Sequence, residues 1–269
     1  MEATSSRKWR NRTKKPSGGS STSSIPKKFT ADYYDVDYFK TPKGKKFRRP
    51  DGSLDAWSYG NESGESAGCK AIVEAWKQVF SPKTMLDVGA GRGTVVAYAR
   101  QSGIEALGFD FSVWGVNEGR YHGCQADWLT VHDATQTWPY QDRQFDLVTA
   151  LDLLEHIYLE DLDFVISELY RVAKKWVFLQ TAVAGSGGLQ GRDEKGYILK
   201  KGEPVPIELE GCAVAGHVTV RKEDWWYEKL EREEWMPRRD VVNWFISLVD
   251  PSIIRNWLLN SMIVFERLT

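Results

Sequence analysis

The stretch Met85-Leu86-Asp87-Val88-Gly89-Ala90-Gly91-Arg92-Gly93-Thr94 constrains this chain more than any other. An apolar strand-like run enters three alternating glycines and leaves into Val95-Val96-Ala97-Tyr98-Ala99, which suits a helix. Strand, tight turn and helix make the first half of a βα unit, and glycines at such a turn let the main chain approach a ligand closely. The rest of the chain keeps this alternation. A helix is predicted over 63–80, broken by Pro82, and further strands over 104–112, 128–135, 145–157 (running into a loop) and 175–182. A helix over 162–173 separates the last two, helices are predicted over 221–235 and 240–250, and a strand closes the chain over 261–268. The fold class expected is α/β, doubly wound, with a mostly parallel sheet covered by helices on both faces.

Composition bounds the setting. A chain of 269 residues that is 42% apolar can bury a full core. No apolar run is long enough for a membrane span, and "MEATSSRKWRNRTKK" places no apolar segment behind its charges, so neither a membrane partner nor a signal peptide is expected. The three cysteines, Cys69, Cys124 and Cys212, are odd in number and far apart, which favours reduced thiols and a cytoplasmic location. The net charge of −1 conceals a division: residues 1–50 hold 14 Lys and Arg against 4 acids, a surplus of +10, and the remainder carries −11. Residues 1–28 have little to bury and are expected as a disordered basic tail, solubilising or an arm for nucleic acid or another anionic partner. Residues 29–80 are read as an aromatic and helical cap, 81–269 as the main domain, and the turn-rich stretch 183–221 as a lid-like insertion.

The glycine turn lacks the features of two common phosphate binders. A dinucleotide fingerprint would need a third glycine at Thr94, and no Gly-Lys-Ser or Gly-Lys-Thr follows, so a P-loop is excluded. What it keeps is Asp110, 19 residues after Gly91 at the end of the second strand, where an acid can accept hydrogen bonds from ribose hydroxyls. That combination fits a nucleoside without phosphates.

"LDVGAGRG", "GFDFS", "HDAT" and "FDLVTALDLLEHI", in this order, resemble the successive motifs of the class I S-adenosylmethionine-dependent methyltransferases, over roughly residues 80–182 and the terminal strand. The resemblance implies a Rossmann-like seven-stranded sheet and S-adenosyl-L-methionine as cofactor. By the same resemblance Asp87, Gly89, Ala90, Gly91 and Gly93 would line the methionine side, and Asp110 would bind the ribose. Phe111, followed by Ser112, would lie against the adenine, Asp133 and Ala134 would meet the adenine edge, and Ala150 to Asp152 would close the methyl-donor side.

Methyl transfer from a sulfonium needs chiefly a positioned acceptor and, for some acceptors, a base. The chain has four histidines, His122, His132, His156 and His217; His156, after the fourth strand, and His217, after the irregular stretch, are the catalytic candidates. Asp152, Glu155 and His156 look like the Glu-x-x-Glu-His metal site of the ubiquinone-pathway O-methyltransferases with Asp in the first place, but Leu-Glu-His also occurs as a structural feature, and no metal is assigned. The Asp/Asn-Pro-Pro-Tyr/Phe segment of exocyclic-amine DNA methyltransferases is missing, and no cysteine stands next to a proline as carbon-5 cytosine methylation would want. The aromatic run "DYYDVDYF" and "HVTVRKEDWWYEKL" resemble small-molecule and glycan-type relatives, so the expected reaction is methyl transfer to an oxygen or nitrogen of a small-molecule or sugar-like acceptor. Trp225, Trp226, Trp235 and Trp244 stand as core or acceptor-facing residues, core being the commoner use of such spacing. Two other readings stand beside this one: a nucleic-acid methyltransferase served by the basic tail, and a non-catalytic binding module on the same fold.

Overall fold

The structure is a computed structural model that describes residues 23–40, 43–59, 62–121, 123–185, 195–253 and 261–268. In chain order its elements are α1 (Val36–Phe39), β1 (Lys45–Arg48), β2 (Leu54–Trp57), α2 (Glu62–Phe80), β3 (Thr84–Val88), α3 (Thr94–Gln101), β4 (Glu105–Asp110), α4 (Val113–Tyr121) and β5 (Leu129–Val131). There follow β6 (Phe145–Leu151), α5 (Leu159–Val172), β7 (Ala173–Gln180), β8 (Tyr197–Ile198), α6 (Ile207–Ala213), β9 (Thr219–Val220), α7 (Glu223–Leu230), β10 (Trp235–Pro237), α8 (Arg239–Leu248) and β11 (Met262–Arg267).

Seven strands form one sheet in the order β10-β11-β7-β6-β3-β4-β5. From β5 to β7 neighbouring strands run parallel, and β11 enters antiparallel to β7. The doubly wound, mostly parallel sheet is therefore as the sequence implied. Alternation along the strands divides the core in two, because successive side chains leave opposite faces. Trp176 and Phe178 of β7, with Met262 and Val264 of β11, pack against α2, α3 and α8; Val177, Leu179, Ile263 and Phe265 pack against α5 and α7. Winding reverses between β3 and β6, so a crevice opens at the carboxyl ends of these two strands.

Four expectations about elements change. The helix α2 is one of the sheet's own covering helices rather than part of a cap. The cap consists of residues before 60: α1, a 3-10 turn at Ala31–Tyr33, and a β1–β2 hairpin in the basic stretch where no strands were predicted. The helix expected over 221–235 stops at Leu230, and Trp235 begins a sheet strand, because Trp235 is buried with its ring 4.6 Å from that of Tyr170 while its backbone pairs with Arg267. The third strand covers only 129–131, since Asp133 folds the chain into a turn by accepting from the Thr135 N–H at 2.9 Å.

The stretch 183–221, expected as irregular, is a packed layer where it is described. β8 and β9 pair, Val214, Val218 and Val220 are wholly buried, and Val218 N–H donates to the Glu155 carbonyl at 2.7 Å. Residues 186–194 lie outside the described residues. Of the tail expected over 1–28, residues 1–22 lie outside as well, whereas 23–28 are anchored through two residues: Ile25 is 3% exposed in this layer's core, and Ser24 Oγ donates to Glu210 of α6 at 2.7 Å.

Candidate functional site

The crevice holds a cavity of about 380 Å³, within the range of small-ligand sites. Its floor is the β3–α3 turn. Gly89 and Ala90 N–H groups both donate to the Phe109 carbonyl at 3.0 Å, which ties the turn to β4. Gly91 has φ +55°, and a Cβ built on it would stand in the open, with its nearest neighbour Phe39 at 3.9 Å. Gly93 serves differently: a Cβ there would come within 2.8 Å of Leu129. So Gly91 leaves open space at the cavity and Gly93 keeps room for packing.

Three acids stand around the turn. Asp110 Oδ2 accepts from Gly91 N–H at 2.8 Å and Oδ1 from Ser112 N–H at 2.7 Å. Burial raises its carboxyl and these two donors partly offset that. Asp87 is buried, takes a hydrogen bond from Thr149 Oγ1 at 2.7 Å, and is pushed up to about 7 by burial, with the nearby Asp110 adding to it. Asp133 lines the wall while holding the turn described above.

Directly after β6 the cavity wall continues in Asp152, a non-glycine residue at φ +50°. Such backbone costs about 1–3 kcal/mol and tends to gather at functional sites. Its Oδ2 accepts from Tyr59 Oη at 3.4 Å, and burial pushes its carboxyl up to about 6. Glu155 faces away. Wholly buried, it takes Thr181 Oγ1 at 2.9 Å and Ala182 N–H at 3.0 Å, and it stays protonated far above the usual range through burial and the adjacent Asp152.

His156 lies beside the cavity with Nδ1 3.3 Å from Tyr34 Oη, and burial lowers it to about 4 although a bond to the Gly216 backbone favours its charged form. His217 is stacked edge-on behind it at 4.8 Å and is lowered further, by burial and then by His156. Both rings are neutral near pH 7. The three residues drawn together here are Glu155, His156 and His217, whose ligand atoms lie within 4.8 Å of one another, rather than Asp152, Glu155 and His156. Glu155 is already held by two donors, so this group serves the packing of the β8–β9 layer against β6 and β7.

Of the residues predicted for the site, Asp87, Gly89, Ala90, Gly91, Asp110, Phe111, Asp133, Ala134, Asp152 and His156 line the cavity. Gly93, Ser112, Ala150 and His217 stand behind the wall: Ala150 is interior to β6, and Ser112 Oγ holds the Tyr34 carbonyl. His122 lies outside the described residues. Trp226 and Trp235 are core and Trp244 is exposed, and none of the four tryptophans lines the cavity. Sequence reasoning did not single out Tyr34, Tyr38, Phe39 and Tyr59 individually, although "DYYDVDYF" signalled the first three as an aromatic group. Tyr59 carried no signal. Asp35 caps α1 by accepting from Asp37 and Tyr38 N–H groups, and Phe39 stacks on Trp114 of α4 at 5.3 Å, which holds the aromatic cap over the turn.

Comparison with known proteins agrees with this geometry. A family profile described as a methyltransferase domain matches residues 62–247, more than half of the chain. Over 101 residues the chain is 37% identical to norajmaline N-methyltransferase of Rauvolfia serpentina, covering 34% of this chain and 32% of that protein. Over 110 residues it is 32% identical to a ubiquinone biosynthesis O-methyltransferase of Nitrosomonas europaea, covering 38% and 45%. The chain thus spans less than half the length of these curated relatives. Among solved structures, the plantazolicin methyltransferase BpumL, in complex with a pentazolic desmethylPZN analog and SAH, aligns over 78% of this chain and 87% of its own with a TM-score of 0.52 at 11% identity, a likeness of fold. From its glycine turn, strand order and profile match, the chain belongs to the methyltransferase domain family, in the class I form built on a Rossmann-like sheet.

Proposed function

We propose that this protein transfers the methyl group of S-adenosylmethionine to an oxygen or nitrogen of a small-molecule acceptor. The observation that carries the reading is Gly91: its open φ +55° position borders the cavity, and Asp110 stands beside it. The charge of the wall fits this cofactor better than a nucleotide. Five aspartates line it against Lys28, Arg92 and Lys201, which disfavours phosphates and suits a sulfonium.

Bound S-adenosylmethionine would supply a methyl group activated by its sulfonium. Asp110 would hold the ribose, Asp133 and Ala134 would border the adenine, and Asp87 with Gly89 to Gly91 would border the methionine part. Asp152 and Leu153 would close the methyl-donor side, the latter within contact of Gly89. His156, neutral and anchored to Tyr34 and Gly216, would orient the acceptor, with His217 bracing it from behind.

Calorimetric titration with S-adenosylhomocysteine tests the reading and separates an enzyme from a module that keeps only the fold. We expect saturable binding, followed by labelled methyl transfer into a small-molecule fraction at a rate unaffected by chelator. No binding to folded protein would overturn it, and loss of activity in chelator restored by magnesium or zinc would restore the metal.

A further inference from the structure

We propose that the acceptor is an organic amine, held as its ammonium ion between the Asp152 carboxylate and an aromatic wall of Tyr34, Tyr38, Phe39 and Tyr59. This inference rests on the methyltransferase reading above.

The wall is continuous. Ring centroids of Tyr34 and Tyr38 are 4.9 Å apart, those of Tyr38 and Phe39 5.0 Å, and those of Phe39 and Tyr59 6.4 Å. Its hydroxyl groups are already engaged: Tyr38 Oη donates to the Ala215 carbonyl at 3.0 Å, Tyr59 Oη meets Asp152, and Tyr34 Oη meets His156. What the wall then offers a ligand is aromatic surface, less the Phe39 face stacked on Trp114, and the quadrupole of such rings attracts cations. A sugar would want the donors that are spent. A phenolate or carboxylate acceptor would confront Asp152, and of the three cations on the wall, Lys28, Arg92 and Lys201, the last is held by Asp161 at 2.9 Å above the Tyr158 ring.

Aromatic faces with one carboxylate are the chemistry that recognises an organic ammonium. The reaction then balances. The ammonium gives its proton to the Asp152 carboxylate, and the freed nitrogen lone pair forms the N–C bond to the methyl carbon. The S–C bond breaks with its electron pair staying on sulfur, leaving a thioether, and Asp152 releases its proton to solvent. A carboxyl pushed up to about 6 by burial is a better matched acceptor of that proton than an unperturbed aspartate.

The test uses the full chain saturated with S-adenosylhomocysteine and titrates benzyltrimethylammonium and benzylamine by calorimetry, against the neutral isostere neopentylbenzene and the anion benzoate. Both cations should bind at least about tenfold more tightly than either control. Asp152→Asn and Tyr59→Leu should each narrow that preference about tenfold, with melting temperature and S-adenosylhomocysteine affinity followed in parallel to identify a variant that has lost its fold. If the wild type binds S-adenosylhomocysteine but binds benzoate or neopentylbenzene as well as the cations, or neither cation at all, the amine inference falls and the methyltransferase reading stands. If S-adenosylhomocysteine itself fails to bind, the reading beneath falls and the inference with it.

Discussion

Asp110 and His156 both line the cavity while being held by the fold. Asp110 spends one lone pair of each carboxylate oxygen on the backbone of Gly91 and Ser112, so it holds the turn and still has acceptor capacity toward the cavity. Asp110→Asn keeps one acceptor oxygen and loses the charge; S-adenosylhomocysteine affinity should fall by roughly tenfold to a hundredfold, the worth of about 1.5–3 kcal/mol, and unchanged calorimetric affinity would remove the ribose role. His156 is lowered from 6.5 to about 4, so between these values the unfolded chain binds the extra proton and stability falls as pH falls. Asp87 and Asp152, raised to about 7 and about 6, act with the opposite sign: the folded state holds their protons, and stability falls as pH rises through that window. Comparing His156→Gln with wild type isolates the histidine. Between pH 7.5 and pH 5.0 the variant should lose about 2 kcal/mol less in urea unfolding than wild type, and equal losses would mean a solvated ring. Asp110 and the glycines were readable because their partners are main-chain groups set by local spacing. Tyr59 was not, since it meets Asp152 only after 93 residues of chain have folded.

At the level of elements, long periodic or apolar segments were readable and short ones were not. Helix α5 buries Leu162, Val165, Ile166 and Leu169 on one face, a pattern visible in the sequence, and β3, β4, β6 and β7 announce themselves as apolar runs. Strand β10 is three residues long and contains a proline, and only pairing with β11 at the sheet's edge makes it a strand. The hairpin β1–β2 is similar: Phe47 is buried against the layer of α6, and Arg48 N–H donates to Glu210 at 2.8 Å, contacts that charge composition conceals. Glu210 also receives Ser24, so this one buried acid ties the first described residues to the hairpin. Ile25, deep in the same cluster, tests whether that segment is integral to the domain. Ile25→Ala should cost about 2–4 kcal/mol in urea unfolding, the range for a buried isoleucine cut to alanine. A loss below about 0.5 kcal/mol would mark residues 23–28 as a loosely laid extension.

The whole molecule separates its charges, with +10 in residues 1–50 and −11 in the remainder. Three of the eight Lys and Arg in residues 23–50 are paired locally: Lys45 with Asp35 at 2.8 Å, Lys40 with Glu118, and Arg49 with Asp55. Residues 1–22 hold six Lys and Arg against one acid and lie outside the described residues. Their composition offers almost nothing to bury, so removing them should leave the melting temperature and S-adenosylhomocysteine affinity as they are. Residues 51–269 are acidic and would repel a polyanion, so cations of this segment are the ones to test for affinity toward single-stranded nucleic acid. With a 20-residue oligouridylate as probe, the full chain should bind at low salt, and deletion of residues 1–22 should flatten the slope of log affinity against log salt by about 4, the release expected from six cations on a single strand. Absence of binding by the full chain at low salt, or an unchanged slope after deletion, would dismiss the nucleic-acid arm and leave the segment its solubilising part.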